Sequence, residues 1–244
     1  MVHITASSKR LSSTRPGRLF HPVKEPSIAF PIQSVQIDWD RLVAKRPIIL
    51  DTVDTMPVYL LKPEILRLLD AEKHPTFRLI LDLMWTTGPR VSEVLVFKPT
   101  PIVDDGYDFG VIPKTLKQRP GRLAKKALQP SPKRYIPITD QALEDRIKSY
   151  LYSGDFKKTE RIFPKFRQMM NRYIHALVER VEEAPFTISA HTFRHSFAIH
   201  LLLHGRPLKY VSQLLEHKSV DSTEIYTNVL TVDGAHFLDG VDFH

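Results

Sequence analysis

HTFRHSFAIHLLLHG, at residues 191–205, is the densest signal in the chain and predicts a helix over residues 190–204. Phe193, Phe197 and Leu201 recur at helical spacing and form one apolar stripe. His191 and Arg194 lie off that stripe, and their i,i+3 spacing places them on one face near the beginning of the helix. The helix dipole favours an anion there, so the pattern predicts a site that holds a phosphate.

The sequence after this helix predicts a second helix and a turn that return to the same place. Gly205 and Pro207 stop the first helix and start another over residues 207–216, and His217 stands at its end. Tyr226 follows nine residues later, in a last short helix. Two compact helices and a turn are expected to bring His191, Arg194, His217 and the tyrosine hydroxyl close together.

Upstream, the chain alternates helical patterns with turn residues. Pro63 opens a helix that runs through Leu69, and a second apolar repeat begins near Phe77 and stops at Gly88 and Pro89. A short helix then begins at residue 91 or 92, so Arg90 is predicted to lie at a rigid corner between helices. Strands are predicted at 107–113 and 134–138, and further helices at 140–152 and 165–182.

Composition limits the class of partner. The chain has 244 residues, a formal net charge of +8 and a pI near 9.6, which suit a polyanion such as nucleic acid or an anionic membrane surface. No apolar run approaches the roughly 18 residues that span a bilayer, and the N-terminus lacks an apolar signal core, so a soluble intracellular protein is expected. With zero cysteines, disulfides, thiolate metal sites and cysteine nucleophiles are excluded.

Two basic segments flank the predicted helices and strands. Residues 1–57 are rich in proline and basic residues and are predicted to form an extended arm, with one short amphipathic piece from Ile37 to Ala44. The loop between the two predicted strands carries only positive charges. It is either a solvated flexible segment or an arm that contacts DNA phosphates. The positions predicted to contact DNA are Lys117, Arg119, Arg122, Lys125 and Lys126.

Four segments in order, TTGPRVSEV, HTFRH, LLEHKS and the following Tyr226, resemble the signature of the tyrosine recombinases, the phage integrase-like enzymes. The resemblance covers about residues 58–230 and implies a catalytic domain over residues 58–244, preceded at residues 1–57 by a basic arm or a reduced DNA clamp. The fold it implies is α+β and mainly helical, with a small antiparallel β-sheet. The catalytic residues that it implies are Arg90, Lys114, His191, Arg194, His217 and the nucleophile Tyr226.

The resemblance also implies a catalytic role for each of these residues, and each role suits the residue type. Arg90 and Arg194 would stabilise the negative charge that grows on a phosphodiester under attack, because guanidinium groups match phosphate oxygens and are always charged. His191 is the expected base for the Tyr226 hydroxyl, whose ordinary pKa near ~10 makes it a poor nucleophile.

The remaining implied roles complete the reaction. Lys114, or Lys117 as second choice, would protonate the departing 5′-oxygen. His217 would donate a hydrogen bond to the phosphate, and Glu93 would orient the site from behind. The product would be a 3′-phosphotyrosyl bond and a free 5′-hydroxyl, formed without ATP, metal or other cofactor.

The implied partner is double-stranded DNA, bound by a homo-tetramer on two synapsed sites in the bacterial cytoplasm, with a plasmid or mobile element as the expected setting. Phe237 and Leu238 would pack on a neighbouring protomer or fold back in cis. Three departures from the family pattern stand out: Glu216 where glycine is usual, Pro89 before Arg90, and a long segment between the strands.

Other readings of the same residues remain open. Arg90 could cap the preceding helix. His191 with His195, and His200 with His204, have the i,i+4 spacing of metal ligands, but HTFRH lacks the glutamate of zinc hydrolases; packing, exposure or hydrogen bonding is expected for His195, His200 and His204. A DNA-binding regulator that uses residues 190–216 as a helix-turn-helix is one alternative function, and a type IB topoisomerase-like enzyme is another.

Overall fold

Two buried helices that pack against each other form the centre of the fold. The structure, a computed structural model, describes residues 36–54, 56–104, 106, 108–113, 134–181, 186–217 and 219–233. At its centre, helix α3 (Pro75–Thr87) lies along helix α7 (Ala190–Leu203). Phe193 and Phe197 are both buried, as the apolar stripe predicted, and Phe197 packs against Gly88 at the end of α3.

The other helices surround this pair. The N-terminal ones are α1 (Trp39–Thr52), α2 (Lys62–Ala71) and the single turn α4 (Val91–Val94). The C-terminal ones are α5 (Gln141–Gly154), α6 (Arg167–Val181), α8 (Leu208–Leu214), α9 (Asp221–Glu224) and α10 (Asn228–Asp233), with a 3₁₀ turn (Ile225–Thr227) between the last two. None of the helices within the described ranges is long and apolar enough to cross a membrane.

A small antiparallel sheet of three strands completes the fold. Strand β2 (Phe109–Val111) lies between β1 (Ile102–Asp104) and β3 (Ile136–Pro137), with Ile102 opposite Val111 and Gly110 opposite Pro137. The predicted strands are therefore present but shorter, and β1 was not predicted. The α+β, mainly helical class with a small antiparallel sheet is confirmed.

Helix α1 is longer than the short piece expected from Ile37 to Ala44. It continues through Pro47, buries Leu42 and Ile49, and packs against α10. Arg46 within it is 3% exposed and forms a bidentate ion pair with Glu64, with nitrogen to oxygen distances of 2.5 and 2.7 Å. The part of the expected 1–57 arm that the structure describes is thus largely a docked helix. The role of that arm in clamping DNA stays a prediction.

Candidate active site

Arg90 lies at the corner between α3 and α4, where the sequence placed it. Gly88 ends α3 with a φ of 57°, a left-handed conformation that glycine adopts without strain. After Pro89 the chain starts α4, and the buried Glu93 accepts hydrogen bonds from the Arg90 backbone N–H at 2.8 Å and from Arg90 Nη1 at 3.1 Å. The Arg90 side chain is 37% exposed, so its guanidinium can still reach a ligand. Glu93 therefore holds Arg90 in place, and its role in orienting a catalytic site stays a prediction.

Arg194 is buried and joins two loops. Its Nη1 donates to the Gly88 carbonyl at 2.8 Å, and its Nη2 donates to the carbonyl of Leu215 just after α8. An arginine has five N–H donors, so these two bonds leave three for another ligand. Burial and the neighbouring charge of Arg90 lower the pKa of Arg194 to about 10, which still leaves it positive at neutral pH.

His217 follows the end of α8 and is half-buried. Its Nδ1 lies 2.7 Å from the Thr223 hydroxyl oxygen. If that hydroxyl donates to Nδ1, the imidazole proton stands on Nε2, where it can be given to a phosphate oxygen. Burial and the positive charges of Arg194 and Arg90 lower the pKa of His217 to about 4, so the ring is neutral at pH 7.

Tyr226 lies in the 3₁₀ turn, which packs against α7. The side chain is only 3% exposed, and burial raises the pKa of its hydroxyl although the charge of Arg194 acts in the opposite direction. A neutral, buried phenol is a weak nucleophile, so it needs a base and a change of position before it can attack a ligand in solution.

The histidine in contact with Tyr226 is His195, not the expected His191. His195 Nδ1 lies 2.8 Å from the tyrosine hydroxyl oxygen. Burial, followed by the charges of His191 and Arg194, lowers the pKa of His195 to about 4, so its neutral ring can accept a proton. Hydrogen bonding was one of the roles expected for His195, but its partner was not foreseen.

His191 is exposed at the beginning of α7, on the side of its ring partner His195; their ring centroids are 6.5 Å apart. Partial desolvation and the charges of Arg167 and Arg194 lower its pKa. His191 thus lies at the N-terminal end of α7, with the exposed Arg167 beside it as a further cation that the sequence did not single out. A contact between His191 and a phosphate stays a prediction.

The other histidine pair, His200 and His204, is half-buried and packs against tryptophan side chains. His200 stacks on Trp39 with ring centroids 5.9 Å apart and also packs against Trp85, and His204 Nδ1 bonds to the His200 carbonyl. These contacts attach α1 to α7. Within the described ranges no group of three histidine, aspartate or glutamate side chains could hold a metal ion.

Arg134 is a site residue that the sequence did not reveal. It lies two residues before β3, is 8% exposed, and donates through Nη1 to the Leu214 carbonyl at the end of α8. Its other nitrogens lie 3.7 Å from Glu93 and 3.9 Å from Glu216. A buried arginine with two carboxylate neighbours is thus part of the same cluster as Arg90.

The basic loop cannot be placed in this cluster. Lys114, Lys117, Arg119, Arg122, Lys125 and Lys126 all lie outside the described residues, as do Phe237 and Leu238. The catalytic lysine and the DNA contacts of the loop stay predictions. The described residues bring together Arg90, Glu93, Arg194, His217 and Tyr226, with His191 at the exposed edge and His195 and Arg134 added.

Comparison with known proteins gives matches over most of the chain. The model of the phage integrase family matches residues 59–232. A resolvase of Escherichia coli is 31% identical over 226 residues, which are 82% of this chain and 84% of the resolvase. A probable site-specific recombinase in the afa region of Escherichia coli is 29% identical over 185 residues, 73% of each chain.

Among solved structures, the fold is similar to that of the XerH site-specific recombinase bound to its difH substrate in a pre-cleavage complex. The TM-score is 0.57 at 20% identity, over 74% of this chain and 53% of the XerH chain. At that level of identity the likeness concerns the fold.

Proposed function

The chain belongs to the phage integrase family, the tyrosine recombinases, and from this premise we propose that it cleaves and rejoins DNA at specific sites through Tyr226. The observation that carries the proposal is the meeting of Tyr226 with two arginines and His217 in one cluster, although these residues come from distant parts of the sequence. A tyrosine beside a preorganised cationic pocket suits attack on a phosphodiester.

The two arginines act on the charge that develops at phosphorus. As the tyrosine oxygen attacks, negative charge grows on the non-bridging oxygens, and donors already fixed in place stabilise that state more than the ground state. Arg90 is held by Glu93, and Arg194 is held by the carbonyls of Gly88 and Leu215. Neither guanidinium has to be ordered at the moment of reaction, and His217 adds a third donor.

We assign the first proton transfer to His195, on the basis of its contact with the Tyr226 hydroxyl. The proton passes from the hydroxyl to Nδ1 of His195, the tyrosine oxygen bonds to phosphorus, and the bond between phosphorus and the 5′-oxygen breaks. Burial is the main cause of the lowered pKa of His195 and nearby positive charges add to it; the negative phosphate offsets those charges. His191, the base expected from the sequence, is left to contact the phosphate or to assist from one turn earlier in α7.

Lys114 stays our choice for the proton that the departing 5′-oxygen requires, with Lys117 second. The products of the step are a 3′-phosphotyrosyl bond and a free 5′-hydroxyl. Because the covalent bond conserves the phosphodiester energy, a 5′-hydroxyl from another strand can reverse the step, and neither ATP nor a metal ion is needed.

Tyr226 cannot attack from its present position, because only 3% of its surface is exposed. The 3₁₀ turn must therefore move when DNA binds, so that the hydroxyl is exposed while its hydrogen bond to His195 is kept until the proton has passed. The proposal thus includes a resting state in which the nucleophile is held against its base, and a DNA-bound state in which it reaches the phosphate.

Double-stranded DNA is the proposed partner, in line with the positive charge of the chain. Exchange between two sites requires four strand cleavages, and each active site carries one tyrosine, so we propose a tetramer on two synapsed sites. The similarity to an Escherichia coli resolvase supports a role in resolving plasmid or mobile-element DNA.

The covalent intermediate provides the direct test. Purified protein is mixed with nicked, labelled duplex that carries the DNA flanking its own gene, and SDS-resistant protein–DNA adducts are counted. Wild type should form the adduct and Tyr226→Phe should not. Tyr152→Phe is the matched control, because that tyrosine is 91% exposed on α5, and it should react like wild type.

Other outcomes point to the alternatives. Tight DNA binding with no adduct on any substrate would contradict the proposal and favour a DNA-binding regulator. Adduct formation with relaxation of supercoils, but without exchange between two sites in one plasmid, would favour the topoisomerase-like enzyme.

A further inference from the structure

The turn that presents His217 is anchored by two arginines. The carbonyls of Leu214 and Leu215, at the C-terminal end of α8, accept hydrogen bonds from Arg134 and Arg194 respectively. A helix C-terminus carries partial negative charge, so buried guanidinium groups are favourably placed there. Arg194 also belongs to the proposed phosphate site, whereas Arg134 has no such role.

Glu216, between this anchored end and His217, has an unusual backbone conformation. Its φ is 51°, in the left-handed region that favours glycine. The side chain that glycine would lack lies within 3.9 Å of Arg134 Nε. Glu216 therefore accepts a strained backbone in a place where its carboxylate meets a buried cation.

Arg134 also reaches the other arginine of the site. Its Nη2 lies 3.7 Å from Oε2 of Glu93, a side chain that is 1% exposed, and Glu93 in turn holds Arg90. The three ionic groups Glu216, Arg134 and Glu93 thus form a row between the His217 turn and the Arg90 corner, in which Arg134 and Glu93 are buried and Glu216 is half-buried. Since the Arg134 side chain is 6% exposed and surrounded by these partners, it is not placed to contact DNA itself.

We propose that Arg134 is a positioning residue that fixes His217 and Arg90 relative to each other, through the Leu214 carbonyl, Glu216 and Glu93. The proposal rests on the proposed recombinase function, because it concerns the geometry of that same site. Small displacements of positioned groups lower reaction rates strongly, whereas DNA affinity comes mainly from many phosphate contacts elsewhere. Loss of Arg134 is therefore expected to slow cleavage and to leave binding unchanged.

The test compares Arg134→Met, Arg134→Lys and Glu216→Gly with wild type. The measured quantities are the single-turnover rate of adduct formation on nicked duplex, and the DNA dissociation constant in a Tyr226→Phe background. Arg134→Met should cleave about 100-fold more slowly, with a dissociation constant within about twofold of wild type. Arg134→Lys should recover part of the rate, because it keeps a cation near both carboxylates.

Glu216→Gly measures the coupling within the row. It should slow cleavage by about three- to tenfold, and in the double variant with Arg134→Met the two losses should be less than multiplicative, because both act through one contact. If Arg134→Met does not fold, Arg134→Lys and Glu216→Gly decide the question, since glycine is favoured at this φ.

Arg146→Met is the matched control. Arg146 also pairs with a buried carboxylate, at 2.9 Å from Asp82, but on α5 and without a link to His217 or Arg90. It should lower thermal stability and leave the cleavage rate unchanged. A folded Arg134→Met that cleaves at the wild-type rate, or an equal loss in Arg146→Met, overturns the positioning role alone. A wild type without any Tyr226-dependent adduct overturns the recombinase proposal and this one with it.

Discussion

Gly88 offers the most direct check on how the fold builds the site, because the substitution Gly88→Ala affects both stability and the phosphate pocket. Its φ of 57° is left-handed, and a Cβ there would lie 2.2 Å from Cδ1 and 2.6 Å from Cε1 of Phe197. The Phe197 ring is buried in α7 and cannot turn away into solvent. The carbonyl of the same glycine holds Arg194.

The magnitude follows from two separate costs. A left-handed conformation costs an alanine about 1–2 kcal/mol, and forcing a side chain into a packed core costs about 1–3 kcal/mol. We therefore expect Gly88→Ala to lower the free energy of unfolding by about 3 kcal/mol. For a domain of this size that lowers the melting temperature by roughly 6–12 °C. The backbone shift should also displace Arg194 and reduce adduct formation by about tenfold or more.

Gly106→Ala separates the two costs. Gly106 also has a positive φ, of 84°, but nothing lies within 4 Å of a Cβ there. Gly106→Ala should lower the free energy of unfolding by only about 1–2 kcal/mol and leave the rate of adduct formation unchanged. Thermal unfolding by circular dichroism, with the adduct assay on the same preparations, makes the comparison. If Gly88→Ala is no less stable than Gly106→Ala, the argument from the Phe197 contact is wrong.

Two further predictions concern the histidines. His195→Asn keeps an acceptor near the Tyr226 hydroxyl but has no basic nitrogen. Adduct formation should therefore fall by about 10²-fold while DNA binding is retained. An unchanged rate would contradict the assignment of His195 as the base. Burial and the neighbouring His204 lower the pKa of His200 to about 3, and the pKa values of His195 and His217 are lowered to about 4. Since the unfolded chain then binds more protons than the native state, stability should fall as pH drops from about 6.5 towards 4. Melting temperatures across that range should show the slope, and His200→Phe should flatten it; a slope that stays the same in His200→Phe would contradict the assignment.

The sequence predicted the parts of the fold that depend on local signals. The apolar repeat of α3 predicts a helix, and Gly88 and Pro89 predict where it ends. Together they placed Arg90 at the corner between α3 and α4. Helices α7 and α8 follow in the same way from the Phe193 stripe and from Pro207. The extent of α1 was underestimated because Pro47 interrupts its pattern, and the three-residue strand β1 is too short to show any alternation.

The sequence predicted that distant segments meet, but not which side chains form the hydrogen bonds between them. Tyr226 is 31 residues from His195, and which histidine of α7 it meets depends on how the 3₁₀ turn is rotated against that helix. Arg134 bonds to a carbonyl 80 residues away, so its spacing carries no signal. Glu216 was an available signal. A carboxylate where glycine is usual suggests that a cation lies close to it, and that cation is Arg134.

The burial of Tyr226 has a consequence for DNA affinity, because part of the binding energy must open the 3₁₀ turn before the tyrosine can react. Any DNA that engages the reactive arrangement must first shift the population towards molecules whose 3₁₀ turn is open. The apparent affinity of such a complex is the intrinsic affinity multiplied by the open fraction, so a turn open in about one molecule in a hundred weakens binding about a hundredfold. DNA that offers too few contacts is released before the tyrosine is exposed. Under the proposed function, we therefore expect selection of the target site to begin with the closed turn, before any bond is broken.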